Sequence, residues 1–392
     1  MVQTTLSGWK SNGFKAKSYK PKGATPHEER SPYFKPNAPE SKSEPSNSQS
    51  TESTPNTTPI KPGNSRFHNQ DLRAICHETK EQLPKILVQI PNLRVAASTF
   101  HHMRSDELRP LRPHHSPGYM LSLPDSEAGQ KGTRIRVYDQ DSFDAALELQ
   151  PGTVVSSILS PTILIAGADQ DTAMSNTSPP PTTSPTTTFT PTKPVAVLNL
   201  ASERYPGGGW ENGTLAQEEA LCYRSSLYRS LHHSYYPLPL LAAIYTPTCL
   251  LIRSSLSSGH HLLTCPPADL SVTSIITAAA LRRPEIDHQG FFAHKWDRET
   301  TKTKIRGILR LAVLKRHTKI VLGALGCGAF GNPPADVAWC FVEVFEEEEF
   351  SGKGWFEDVV FAIIDNVRGS EGGKDGVGNF GIFYQVLDGM IV

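Results

Sequence analysis

Neither sign of charge dominates this sequence: 39 Lys and Arg stand against 39 Asp and Glu. A protein that holds nucleic acid by its phosphates carries a basic excess, so direct nucleic-acid binding is not expected. Phosphate gripped by backbone N–H groups would need no such excess. Cysteine is sparse, and Cys76, Cys222, Cys249, Cys265, Cys327 and Cys340 include no CxxC pair. That argues against a zinc ribbon or a redox pair, and so few cysteines in so long a chain make no disulfide scaffold. Reduced thiols and an intracellular setting, nuclear or cytoplasmic, are expected. Long apolar runs are missing as well. The longest, near residues 237–252, is interrupted by prolines, Tyr245 and threonines, too short to cross a bilayer. The first residues lack the apolar stretch of a secretory signal, and no internal repeat is visible.

Residues 1–65 are rich in Ser, Pro, Thr, Lys and Asn. Such a segment buries too little apolar surface to offset its chain entropy, so disorder is expected there. A single domain is expected over 66–392, with a Thr/Pro-rich insertion at about 152–193. Leu72, Ile75, Thr79 and Leu83 recur at helical spacing, and Pro84 marks a stop. Residues 86–96 read as a strand or a continued helix, and 104–118 as a loop. Residues 134–137 alternate like a strand, and 142–149 form a helix capped by Asp141. Beyond the insertion, strands are expected at 195–200, 240–245, 271–278, 320–325 and 359–364. Helices are expected at 217–231, 303–316, 334–345 and 379–387. Strands alternating with helices predict an α/β fold, a three-layer α/β/α sandwich around a largely parallel or mixed sheet.

The most informative segment begins at Val195 and reads VAVLNLASERYPGGGWENGTLAQEEALCYRSSLY. An apolar strand runs into Gly207, Gly208 and Gly209; seven residues later Gln217, Glu218 and Glu219 open a helix. Three glycines let the backbone take φ > 0 and approach a ligand closely. A loop between strand and helix suits an anion, and ligands of open α/β sheets bind at the carboxyl ends of strands. The plain alternative is an ordinary turn followed by acids that favour a helix dipole.

A second segment, IVLGALGCGAFG from Ile320, leads into Asn332-Pro333-Pro334. It too joins a strand to a helix with proline in its first turn. No Gly-Lys-Ser/Thr follows, so it is no Walker A loop. Cys327 between two glycines has no assignable histidine partner and reads as a buried thiol. His260, His261, His288 and His294 match no zinc spacing. The acids from Glu346 to Glu349 read as a solvated face.

The GGG, seven-residue spacer and QEE resemble the signature of the poly(ADP-ribose) glycohydrolase family, and LNLAS and LCYRSSLY resemble its microbial branch. LRAICHETK, AAIYTP, ITAAA and VVFAIIDN extend the resemblance over most of the chain beyond Arg66. It implies a macrodomain-like fold and an enzyme that hydrolyses ribose–ribose bonds to release ADP-ribose. It matches Glu219 to the catalytic acid, Glu218 to a neighbour that bonds a ribose hydroxyl, and Gln217 to a residue supporting both. Gly207, Gly208 and Gly209 match a loop beside the terminal ribose and diphosphate. Gly326, Cys327, Gly328, Ala329 and Phe330 match the diphosphate loop, with Phe330 placing the terminal ribose. Ser202 stands where the animal enzymes have asparagine, which leaves Asn199 as a weaker candidate for that contact.

The residues suit the chemistry. Glycoside cleavage needs a proton on the leaving oxygen, and a carboxylic acid beside a carboxylate and a diphosphate tends to keep its proton. Adjacent helical residues point about 100° apart, so one acid–base carboxylate is expected rather than a flanking pair. No cofactor or metal is implied; poly(ADP-ribose) or an ADP-ribosylated protein is the expected partner, no membrane is expected, and a monomer is expected. Two rivals stay open: a hydrolase of mono-ADP-ribose on protein, nucleic acid or a metabolite, and a non-catalytic ADP-ribose-binding macrodomain.

Overall fold

The computed structural model describes residues 69–159 and 193–392, all within one compact unit, Asn64–Val392. The expected disordered head and most of the Thr/Pro-rich insertion lie outside these residues. Among the described residues, seven strands form one sheet. They are β1 (Thr99–His102), β2 (Ile135–Tyr138), β3 (Ala196–Leu200), β4 (Ala242–Leu250), β5 (Val272–Ala278), β6 (Lys319–Leu322) and β7 (Asp358–Ala362). Their order is β1-β4-β5-β3-β6-β7-β2. Strands β5, β3, β6, β7 and β2 run parallel, and β4 joins β5 and β1 antiparallel. The sheet is therefore mixed.

Side chains alternate across a strand, and each face has its own core. Ala196, Leu198, Ile320, Leu322, Val359 and Phe361 pack on one side against α5 (Lys295–Leu314), α6 (Pro334–Phe345) and α7 (Asn379–Leu387). Val195, Val197, Ile275, Val321 and Val360 pack on the other against α1 (Asn69–Val88), α2 (Ser142–Leu149) and α4 (Gln217–Arg224). This is the expected three-layer sandwich. Both faces are buried, so the inner strands read as continuous apolar runs. On α5, Ile305, Ile308, Leu309 and Ala312 are buried on one stripe; burying each larger side chain there contributes about 1.5–3 kcal/mol.

Several boundaries differ from the sequence reading. Helix α1 continues through Pro84 to Val88, because Leu83, Ile86 and Leu87 pack into a third cluster with Ile90 and Leu93. A proline inside a helix costs about 3 kcal/mol, and this burial offsets it. That cluster also holds Val155 of α3 (Val155–Leu159), so residues 152–159 include a folded element. Helix α4 ends at Arg224 rather than near 231. The Arg224 guanidinium is buried against Asp141 and Asp144, and Ser225, in extended conformation, bridges to Leu251. The acids after α6 are only in part a solvated face: Glu346 and Glu348 are exposed, and the other two are paired. Glu347 pairs with Arg306 and Glu349 with Arg310, both on α5, and Glu349 also accepts from the N–H of Leu111.

Candidate active site

Strands β3 and β6 are parallel neighbours, but they pair only at Ala196–Ile320 and Val197–Val321. Beyond that point their connections diverge: β3 leads to α4 on one face, and β6 leads to α6 on the other. Such a divergence opens a crevice at the carboxyl ends of the strands. Here it is a cavity of about 160 Å³, walled by Leu200, Ser202 and residues 216–219 on one side and by Gly326, Gly328, Ala329 and Phe330 on the other. The two glutamates that follow the first glycine loop thus share one cleft with the second glycine loop.

Gln217 closes the gap between the parting strands. Its Nε2 donates to Leu198 O at 2.8 Å and its Oε1 accepts from Leu200 N–H at 2.9 Å. Bonding C=O of residue i and N–H of residue i+2 is what a neighbouring parallel strand would do. The side-chain amide therefore replaces a strand residue and pins the start of α4 to the end of β3. A further bond to Ser142 Oγ ties it to α2.

The two glutamates that follow are both almost wholly buried, Glu218 2% exposed and Glu219 7%. Their backbones diverge as helical geometry requires, but their side chains converge. A Cβ on Gly208 would lie 2.4 Å from Glu219 Oε1 and 3.1 Å from Glu218 Oε2. Glu218 leans toward β3, where its carboxylate accepts from Ser202 N–H at 2.7 Å and from Asn199 Nδ2 at 3.2 Å. Glu219 folds back, accepting from Gly209 N–H at 2.9 Å and from Ala216 N–H at 3.1 Å. The second bond is the half of a capping box that alanine, having no side-chain acceptor, cannot reciprocate. Desolvation pushes Glu218 up to about 8, with the Glu219 charge adding to the rise; the N–H donors from Ser202 and Asn199 only partly oppose it. At neutral pH Glu218 therefore holds its proton.

The first loop is wired inward. Gly207 and Gly208 have φ of +75° and +60°, values that favour glycine. Gly208 N–H bonds Tyr205 O and Gly209 N–H bonds Glu219. Cβ atoms here would collide with Trp210 and with Thr214 as well as with the glutamates. None of these three glycines lines the 160 Å³ cavity; Gly208 borders a larger basin beside it. Asn199 is fully buried behind Glu218, its Nδ2 also meeting Thr277 Oγ1 at 3.2 Å. Ser202 lines the cleft, and its Oγ accepts from Arg204 and Tyr205 N–H groups.

The second loop differs. Cys327, Gly331 and Asn332 N–H groups close turns within it. The N–H groups of Gly328, Ala329 and Phe330, which line the cleft, have no hydrogen-bond partner among the described residues. Helix α6 adds little, since Pro333 and Pro334 lack N–H groups and Asp336 already sits in its first turn, paired with Arg298. Cys327 turns away from the cavity, and burial holds its thiol far above the usual range, so it is no nucleophile.

Three contributors were not singled out from the sequence. Asn332 buttresses the second loop through Leu281 O and Gly326 O. Thr277 backs Asn199. Arg282 lies over the Phe330 ring, 5.1 Å from its centroid, and reaches Glu203 of the first loop. Thr277 and Arg282 share no local motif with the loops they support, whereas Asn332 directly follows the second loop. Among the described residues no group of three His, Cys, Asp or Glu could hold a metal ion, and no helix is long and apolar enough to cross a membrane.

Comparison with known proteins now bears on the site. Residues 112–254 match the family described as "Microbial-type PARG, catalytic domain", which bears out the resemblance read in the first loop. A comparison with curated proteins finds no match. Among solved structures, the fold is similar to poly(ADP-ribose) glycohydrolase from Thermomonospora curvata, at 24% identity and TM-score 0.54, over 81% of this chain and 99% of that one. The same enzyme bound to the inhibitor ADP-HPD gives a TM-score of 0.53 at 24% identity, with the same coverage. The enzyme from Deinococcus radiodurans, in complex with ADP-ribose, gives 0.50 at 24% identity over 78% of this chain and 97% of that one. These likenesses show the macrodomain-like fold.

Proposed function

We propose that this chain, which carries the catalytic-domain match of the microbial-type poly(ADP-ribose) glycohydrolases over residues 112–254, hydrolyses the ribose–ribose O-glycosidic bonds of poly(ADP-ribose) and releases ADP-ribose. The observation that supports it most is the single cleft in which two buried glutamates face a loop of unpartnered N–H groups.

The division of labour follows from the wiring. The diphosphate lies along Gly328, Ala329 and Phe330, whose N–H groups supply fixed donors for an anion. No Lys or Arg lines the cavity, so an ionised Glu218 would repel the substrate. Glu218 removes that repulsion by holding its proton, and a neutral carboxyl group can donate to a ribose hydroxyl. Glu219, protonated in the substrate complex because the adjacent diphosphate disfavours its ionised form, delivers that proton to the leaving oxygen as the bond from the anomeric carbon breaks. It then takes a proton from the water that attacks the oxocarbenium-like centre.

Poly(ADP-ribose) incubated with the wild-type protein should yield free ADP-ribose. Glu219→Gln should lose about 10²–10⁴-fold in turnover, the usual contribution of a general acid–base group, while keeping its affinity for ADP-ribose. Glu218 is the specific alternative for the proton donor, because burial already keeps its proton at neutral pH. Under that second reading Glu218→Gln would be the more severe variant. A chain that binds ADP-ribose and releases none from the polymer would instead be a reader.

A further inference from the structure

This inference rests on the reading above and concerns the part of the substrate that the cleft does not hold. Hydrolysis divides the polymer into a released unit and a chain that keeps the new hydroxyl. The released unit fills the cleft. The remaining chain must pass close to the acid that protonates the leaving oxygen. Gly208 stands at that boundary. One side of its backbone packs on the Glu219 carboxylate, and it also borders a second concavity of about 620 Å³.

That basin has a different chemistry from the cleft. Arg229 and His233 line it, and their side chains make no ion pair or hydrogen bond among the described residues. Its one carboxylate, on Glu211, is paired with Lys80. Tyr205, on the loop that leads to Gly208, presents its ring at 66% exposure. Two open donors beside an exposed aromatic ring suit a pyrophosphate next to a purine: the guanidinium charge and the imidazole N–H meet the phosphates, and the ring offers a stacking face.

We propose that this basin binds the ADP-ribose unit on the leaving side of the scissile bond, with its pyrophosphate on Arg229 and His233 and its adenine against Tyr205. Occupancy there would favour long polymer over a chain end carrying little beyond the cleaved unit.

The test uses the full-length protein with long poly(ADP-ribose) as substrate, and free ADP-ribose as a ligand in calorimetry. The double variant Tyr205→Ala/Arg229→Ala should raise KM for the polymer roughly tenfold, the effect of losing a charge-assisted phosphate contact. Its kcat should stay within about twofold and its KM should depend less on salt, because fewer phosphates are neutralised. Affinity for ADP-ribose should not change, and Arg229→Lys alone should stay near wild type. A double variant with wild-type KM and salt dependence overturns the proposal while leaving the functional reading intact. A wild-type protein that releases no ADP-ribose overturns the functional reading and the proposal with it.

Discussion

The two glycine loops look alike as sequence and differ as structures. The loop after β3 is turned inward, with its glycines pressed against Trp210, Thr214 and the two glutamates and its N–H groups taken up by Tyr205 and Glu219. The loop after β6 is bare: a Cβ on Gly328 would meet nothing within 4 Å, and the N–H groups of residues 328–330 are unpartnered among the described residues. Glycine is needed in the first loop so that side chains can be held, and in the second so that backbone can be presented. The first loop thus holds acids, and the second presents free donors, which the proposed function assigns to an anion. Glycine content alone does not distinguish the two.

Substitution at Gly208 should separate these roles most sharply. Gly208→Ala places a methyl group on the Glu219 carboxylate at a positive φ. A shift of about 1 Å in a reacting group costs on the order of 100-fold in turnover, so kcat should fall at least that far, while ADP-ribose affinity measured by calorimetry stays within a few-fold. Equal losses in kcat and affinity would mean that the first loop also binds the ligand directly.

The pH dependence gives a smaller effect. Glu218 titrates near 8 in the folded protein against an ordinary value of 4.5. Its proton is held below about 8 and lost above it, so kcat/KM should decline as pH rises through that value. Glu218→Gln should flatten that limb, with a loss below tenfold at neutral pH if its role is to stay neutral. Stability obeys the same linkage: the folded state binds the proton more tightly, so wild-type stability falls as pH rises from about 4.5 to about 8. The Gln variant should therefore gain melting temperature relative to wild type over that window. A variant with an unchanged alkaline limb would assign the titration to another group.

Gly328→Ala should have the least effect on the protein itself. Nothing crowds the position and its φ is ordinary, so melting temperature should hardly move. ADP-ribose affinity should drop several-fold, because the methyl group enters the cleft where the diphosphate approaches closely. Full retention of affinity would remove this loop from the binding surface.

Much of this arrangement was legible in the sequence because its signals are local. The Asp141 cap accepts from Phe143 and Asp144 N–H groups, and α6 and α7 begin and end where Pro334 and Asn379 and the apolar spacing place them. The spacing of GGG and QEE located the acids. What it could not show was which groups meet across the chain. Gln217 acts as a surrogate strand only because β3 and β6 separate. The proton on Glu218 follows from burial beneath residues 199 and 202, and Pro84 is overridden by a cluster assembled from distant segments. Strand β1, four residues at the sheet edge with two histidines, carries too short a pattern to read.

The most direct measurement is a crystal structure of the Glu219→Gln protein with ADP-ribose. The account predicts the diphosphate on the N–H groups of residues 328–330 and the terminal ribose within hydrogen-bond reach of residues 218 and 219. A ligand bound elsewhere, or one whose diphosphate rests on residues 207–209 instead, would contradict it.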